Sequence, residues 1–294
     1  MVARITGQML LTNSQYNLQS SMAALSKLQS QAGTQKLISK PSDDPSGTAE
    51  SMRIRSDQRA LTQYGTNIDD GLSWLSSADS ALSDATDVLQ KVRDLTVQGA
   101  NSGSLSASAR EAIATQLDAL KPALLAVANT QYAGRSIFAG NSNAGVAFQP
   151  DLSFTGVAGS TVTRRIGPNA TVQVDVDGSA AFGSGASSAF ALIDTISADL
   201  RAGTDVSTHL TAIDSHLQSI LGEQAKVGTR YNQLESSKEL NMEKSGSLES
   251  QRADVEDIDI SKVILELKSQ EIAYQTALSV TSRALQPTLM SFLS

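Results

Sequence analysis

The sequence predicts a mainly α protein: an elongated, coiled-coil-like helical bundle formed by both chain ends, with a small β-rich domain inserted in the middle. Three observations carry that prediction. Apolar residues recur at heptad spacing toward both ends, and a stretch rich in Gly, Ser and Val with strand-like alternation separates them. Aromatic residues make up only 4 % of the 294, which favours long helices with thin apolar seams over a thick globular core.

The first element is a stripe of Leu11, Leu18, Leu25 and Ala32, with Met22 and Leu28 alongside, and it predicts an amphipathic N-terminal helix. Ser42-Asp43-Asp44-Pro45 then reads as a helix start, because Asp44 can cap free N–H groups and Pro45 suits the first helical position. From there Ile54, Leu61, Ile68, Leu75, Leu82 and Leu89 hold one register, with Ala78, Ala85 and Val92 three residues on, as in a coiled-coil seam. A helix from Pro45 to about Asn101 would run roughly 85 Å. Gly65 and Gly71 interrupt it at a cost of about 1 kcal/mol each, so packing must hold the segment.

A shorter seam of Ile113, Leu117, Leu120, Leu124 and Val127 follows Ser108-Ala109-Arg110-Glu111, which reads as a capping box. Pro122 within it is expected to kink the helix or shift its start. Residues 142–187 change character. Val162–Ile166 and Thr171–Val176 alternate like strands, with turn signals at Gly167-Pro168-Asn169 and Asp177-Gly178. Phe190, Ile193, Ile196 and Leu200 return to a helix that ends at Gly203. Ile213, Leu217, Ile220, Val227, Tyr231, Leu234 and Leu248 then form a long second seam. The last stripe is Ile260, Val263, Leu267, Tyr274, Leu278, Thr281 and Leu285. Isolated helices are marginal in water. Each terminal helix therefore needs the other, or a neighbouring subunit, and the two ends are expected to meet at one pole.

This pattern predicts three domains. Residues 1–44 with 253–294 make a terminal helical assembly domain, 45–141 with 188–252 a long-helix bundle, and 142–187 an inserted β-rich outer domain.

Composition narrows the function. A net charge of -7 argues against a nucleic-acid or anionic-membrane partner, since both need a basic face. The absence of cysteine excludes disulfides, thiolate metal sites and cysteine catalysis. No run of about 18 apolar residues predicts a membrane span, and Met1–Gln8 gives way to polar Thr12–Gln15 rather than to a cleaved signal. His209 and His216 sit two helical turns apart, about 10.5 Å, too far to share one metal, and read as polar surface positions. Asp254, Glu256, Asp257 and Asp259 lack the turn glycine of a calcium loop and read as acids at a helix N-terminus. Asn169-Ala170-Thr171 fits a hairpin turn better than a glycan site, and Gly183-Ser184-Gly185 lacks the rest of a phosphate loop. No catalytic constellation is found, residues 142–187 hold no His or Glu, and no cofactor or metal is expected.

The run Asn67-Ile68-Asp69-Asp70-Gly71-Leu72-Ser73-Trp74-Leu75, continuing through Val92-Arg93-Asp94-Leu95 to Asn101, resembles the first long helix of the flagellin superfamily. Within it three stretches resemble the hook-associated protein 3 branch rather than flagellin. They are Lys40-Pro41-Ser42-Asp43-Asp44-Pro45, Arg135-Ser136-Ile137-Phe138-Ala139-Gly140 with Phe148, and Tyr274 through Leu285 to Leu293. The resemblance covers about 1–140 and 190–294.

It implies a structural subunit, not an enzyme, that forms the junction ring between hook and filament by coupled folding and self-assembly. A flagellin-type filament subunit is the alternative. It also implies partners: further copies of itself, the first hook-associated protein, flagellin and the filament cap, and an export chaperone. The implied location is extracellular, on the flagellum, reached through the flagellar secretion apparatus. Leu11, Leu18, Leu25, Leu267, Tyr274, Leu278 and Leu285 are the expected assembly residues, with ordinary intramolecular packing as the competing reading of each. A coiled-coil adhesin or an enzyme grafted onto the β insertion fits less well.

Overall fold

The structure, a computed structural model, describes residues 7–100, 105–157 and 160–285. Seven helices carry the fold among these: α1 (Gly7–Thr34), α2 (Pro45–Ala100), α3 (Ala107–Ala128), α4 (Gly178–Phe182), α5 (Ala189–Ala202), α6 (Leu210–Glu256) and α7 (Ile260–Leu285). Two short antiparallel hairpins join them: β1 (Gln131–Tyr132) with β2 (Arg135–Ser136), and β3 (Thr163–Arg165) with β4 (Thr171–Gln173). The chain divides into two compact units, residues 1–59 with 245–294 and residues 60–244, and α2 and α6 contribute to both.

In the unit of residues 60–244 the heptad register of α2 becomes core. Ile68, Leu75, Leu82 and Leu89 are buried, as are the offset Ala78, Ala85 and Val92. Opposite them lie Ile213, Ile220, Val227 and Leu234 of α6. The helix runs unbroken past both glycines, and their absent side chains explain why. A Cβ on Gly71 would stand 2.9 Å from Leu234 Cδ1, and one on Gly65 would stand 3.2 Å from Asn241 Nδ2. The glycines let α6 approach rather than interrupt α2, an approach whose packing offsets their propensity cost.

Tyr231 departs from the expected seam and is 37 % exposed. Arg230 takes the inward slot instead, donating to the Asp175 carbonyl at 2.7 Å and to Gln173 Oε1 at 2.9 Å. A second correction concerns α3, whose cap is Ser106, with its hydroxyl accepting from the Ala109 N–H, not Ser108. The helix continues through Pro122 to Ala128. It packs on α5, whose Arg201 bonds Glu111 at 3.1 Å and Asp118 at 2.6 Å. The predicted stop of α5 is present: Gly203 adopts φ 76° and donates to Leu200 and Asp199 carbonyls.

The β3–β4 hairpin turns at the expected Gly167-Pro168-Asn169, and the Val174 N–H extends its ladder to the Val162 carbonyl. The pairing stops where the Asp175 carboxylate takes the Val162 N–H at 2.7 Å; burial pushes that carboxyl up from its ordinary pKa. The β1–β2 hairpin had no sequence signal. Its two-residue loop is Ala133-Gly134, at φ 50° and 77°, so alanine occupies a left-handed position usually given to Asn or Asp.

Phe138, Phe148, Phe154, Phe182 and Phe190 gather into one cluster, with Phe148 centred 5.1 Å from both Phe154 and Phe190. Trp74 is buried beside Tyr132, and Arg164 lies over its ring at 5.5 Å while bonding Asp70. The histidines are not plain surface groups. His209 lies in a 3-10 turn ahead of α6 and pairs with Asp199 at 2.7 Å, and His216 is half-buried, its pKa lowered by desolvation.

Candidate assembly surface

In the unit of residues 1–59 with 245–294, α1 and α7 pack along one another. They run antiparallel, since Lys36 pairs with Asp257 while Gln270 Nε2 donates to the Ser21 carbonyl at 3.3 Å. The half-buried positions of α1 are Ser14, Leu18, Ser21, Leu25, Leu28 and Ala32, and those of α7 include Leu267, Gln270, Tyr274, Ala277 and Thr281. These recur at three and four, one stripe per helix. Leu18, Leu25, Leu267 and Tyr274 thus lie along the seam within the chain, each only half-buried. Leu278 is 42 % exposed, and the side chains of Leu11 and Leu285 lie outside the described residues.

A second apolar stripe escaped the sequence reading. Leu265, Ile272 and Val280 are 73 %, 65 % and 59 % exposed. At about 100° per residue Leu265 and Ile272 fall on the side of α7 opposite Val263, Leu267 and Tyr274, and Val280 lies on the flank between the two sides. Tyr16 of α1 is likewise 72 % exposed and Met22 60 %. Scattered apolar residues on a surface are ordinary, but a stripe of large aliphatics facing water along a helix marks an interaction surface. Leu265 and Ile272 are seven apart, the signal that could have identified them.

The helix-start motif works through two different carboxylates. Asp44 Oδ1 accepts from the Ser46 and Gly47 N–H groups at 3.1 and 3.0 Å, which with the Ser46 hydroxyl holds its pKa below the ordinary value. Asp43 Oδ2 instead accepts from the Lys40 N–H at 3.0 Å and the Ser39 N–H at 3.3 Å, closing the preceding loop. Pro45 opens α2, and Ser42 is exposed.

Of the acids before α7, Asp259 does cap it, accepting from Ser261 and Lys262 N–H groups. Glu256 does something else. Its side chain is 4 % exposed and gathers Arg55 through Nε and Nη2, each at 2.7 Å, Arg252 Nη1 at 3.1 Å, Lys36 Nζ at 3.2 Å and the Ser51 hydroxyl. The Arg55 fork, with help from Ser51, Lys36 and Arg252, outweighs burial and holds the carboxyl far below the usual carboxylate range.

One backbone feature beside this cluster is strained. Gln35, the residue after α1, has φ 58° and accepts the Ile258 N–H at its carbonyl. The left-handed position after a helix favours glycine. Gln35→Gly is therefore expected to stabilise this unit by up to about 1 kcal/mol, less the extra chain entropy of glycine, as read by denaturant unfolding.

The family follows from comparison with known proteins. The family model for the bacterial flagellin N-terminal helical region matches residues 5–143, and that for the flagellin C-terminal helical region matches residues 210–293. The chain belongs to the flagellin family. A flagellin of Bacillus subtilis is 27 % identical, spanning 96 % of each chain. Flagellar hook-associated protein 3 of Escherichia coli is 26 % identical, over 96 % of this chain and 95 % of its relative. The solved structure of a flagellar hook-associated protein from Vibrio parahaemolyticus shares the fold, with a TM-score of 0.68 at 22 % identity over 73 % of this chain and all of that one. The paired terminal helices and the small strand region between two helical segments are accordingly those of a structural subunit of the bacterial flagellum.

Proposed function

We propose that this chain is the junction subunit between flagellar hook and filament, a ring-forming protein that completes its folding as it assembles. The observation that carries self-assembly is the exposed pair Leu265 and Ile272, opposite the side of α7 that α1 already occupies, with exposed Val280 on its flank. One face of the terminal pair is used within the chain and another apolar face is left over. Fully burying one Leu or Ile contributes ~1.5–3 kcal/mol, so a few such residues per subunit offset the cost of ordering the terminal helices against neighbours.

Lys40–Pro45 and Arg135–Gly140, with the similarity to hook-associated protein 3, favour the junction over the filament. The partners on this reading are further copies of the chain, the first hook-associated protein on the hook side, flagellin and the filament cap beyond, and a chaperone during export. The subunit works outside the cell after passage through the flagellar secretion apparatus. The B. subtilis flagellin, of nearly equal identity, favours a filament subunit as the second reading.

Labelled protein on isolated flagella separates the two: a single band at the hook–filament boundary is expected, and label along the whole filament would replace the junction by the filament. The double substitution Leu265→Asp with Ile272→Asp is expected to abolish incorporation into flagella without changing the unfolding of residues 60–244. Unchanged incorporation would show that this stripe is not an assembly surface.

A further inference from the structure

The terminal pair is thinly packed. Among the described residues of α1 and α7 only Gln31, at 8 % exposure, and Val263, at 7 %, are buried. Both lie next to the chain connections, Gln31 in the last turn of α1 and Val263 in the first turn of α7. Away from the connections the stripe is half-buried and carries Ser14, Ser21 and Gln270 among its leucines. Full burial among the described residues of this pair is thus confined to the turns beside the connections.

The connections themselves are tied. The Leu37 N–H donates to the Glu256 carbonyl at 2.7 Å, the Ile258 N–H donates to the Gln35 carbonyl at 3.3 Å, and Lys36 bridges to Asp257 as a single antiparallel rung. Gln31 Nε2 adds a bond to the Leu37 carbonyl at 3.0 Å. Behind the rung, the Glu256 carboxylate collects Lys36 from the first connection, Ser51 and Arg55 from α2, and Arg252 from its own helix. Four side chains from three stretches of chain converge on one carboxylate, the long-range pairs lying 201 to 220 residues apart in sequence.

We propose that the Glu256 cluster is a preformed clamp that holds α1 and α7 by their connected ends in the free subunit, so that ordering on assembly spreads from the clamp toward the chain ends. The inference rests on the coupled-folding reading above and gives it a direction. The clamp fixes the spacing and antiparallel sense of the two helices before any neighbour arrives. A neighbour then has to order only the outer turns, which lowers the entropy cost of joining.

Residue-resolved hydrogen exchange on the full chain, free in solution, tests this. The Leu37, Ile258 and Val263 amides are expected to be protected, with protection falling along α1 toward Tyr16 and along α7 toward Val280. Glu256→Gln keeps the shape and removes the charge; it is expected to lower protection at Leu37 and Ile258 on the order of tenfold or more, leaving Leu75 and Ile220 unchanged. Free exchange at Leu37 and Ile258 in the unsubstituted chain, or unchanged protection in Glu256→Gln, would overturn the clamp. If Glu256→Gln also exposes Leu75, Arg55→Lys is read instead: it keeps a cation but cannot grip both carboxylate oxygens. The same loss at Leu37 and Ile258 is expected there, and unchanged protection overturns the clamp. Uniform strong protection out to Tyr16 and Val280 would instead remove coupled folding, and a label found along the whole filament would remove the junction reading alone.

Discussion

Phe148→Ala is expected to destabilise the unit of residues 60–244 by about 3–5 kcal/mol, the range for emptying a fully buried aromatic site. The ring is 1 % exposed and meets Phe154 and Phe190 at 5.1 Å and Phe182 at 5.9 Å, so truncation removes contacts on three sides. What keeps the value high is the backbone around it. Asn129 Oδ1 accepts from the Ala147 N–H and the Phe148 N–H, both at 2.8 Å, and Asn129 Nδ2 donates to the Phe148 carbonyl at 2.9 Å. The main chain at 147–148 is thereby pinned to the end of α3 and cannot sink into the space the ring leaves. A site that cannot collapse retains its cavity, and the cost rises with the cavity retained. Phe148→Leu, which keeps most of the volume, is expected to cost clearly less, near 1.5 kcal/mol. Thermal unfolding followed through the Trp74 fluorescence checks both, since Trp74 is the protein's one tryptophan and is buried in this same unit. Equal losses for the two substitutions would show that shape around residue 148, not volume, is limiting.

The long helices were legible because their signal is local. Ile68, Leu75, Leu82 and Leu89 announce a helix face by spacing alone, and burial follows once a second seam exists at Ile213, Ile220, Val227 and Leu234. The β3–β4 hairpin was legible for the same reason, through Gly167-Pro168-Asn169. The aromatic cluster was not. Phe138, Phe148, Phe154, Phe182 and Phe190 have no period, and irregular connections bring them together. Nor could the seam positions of α6 be settled by hydrophobicity, since Arg230 displaces Tyr231 for the sake of two carbonyl-type acceptors at Asp175 and Gln173. Of the expected stripe of α7, Val263, Leu267, Tyr274 and Thr281 face inward while Ile260 and Leu278 are exposed, and the helix lies along α1 of the same chain. The exposed Leu265 and Ile272 form a second heptad register on α7, which the register of Val263, Leu267 and Tyr274 masks in the sequence.

Glu256 is the other residue the sequence concealed, because its meaning depends on Lys36 and Arg55, which are 220 and 201 residues away. Glu256→Ala is expected to cost the unit of residues 1–59 with 245–294 about 3 kcal/mol. Removing one member of a buried ion pair costs ~3–5 kcal/mol because the other charge is stranded. The lower end applies here, since Arg55 remains 52 % exposed and Lys36 41 %, and water takes back part of what the carboxylate gave them. Three cations drawn to one point would also repel one another once it is gone. The effect carries a pH signature of definite sign. The folded-state pKa of Glu256 is depressed below its unfolded value, so its contribution is fully present above the unfolded carboxylate range near ~4.3 and is lost as pH falls through the folded value. The stability difference between the unsubstituted chain and Glu256→Gln should therefore stay level at neutral pH and narrow steadily below about pH 4. Denaturant unfolding of this unit, read by hydrogen exchange at Leu37 across that range, measures it. A difference that instead widened in acid would mean that Glu256 is held as a neutral acid, and that the fork from Arg55 does not dominate its surroundings.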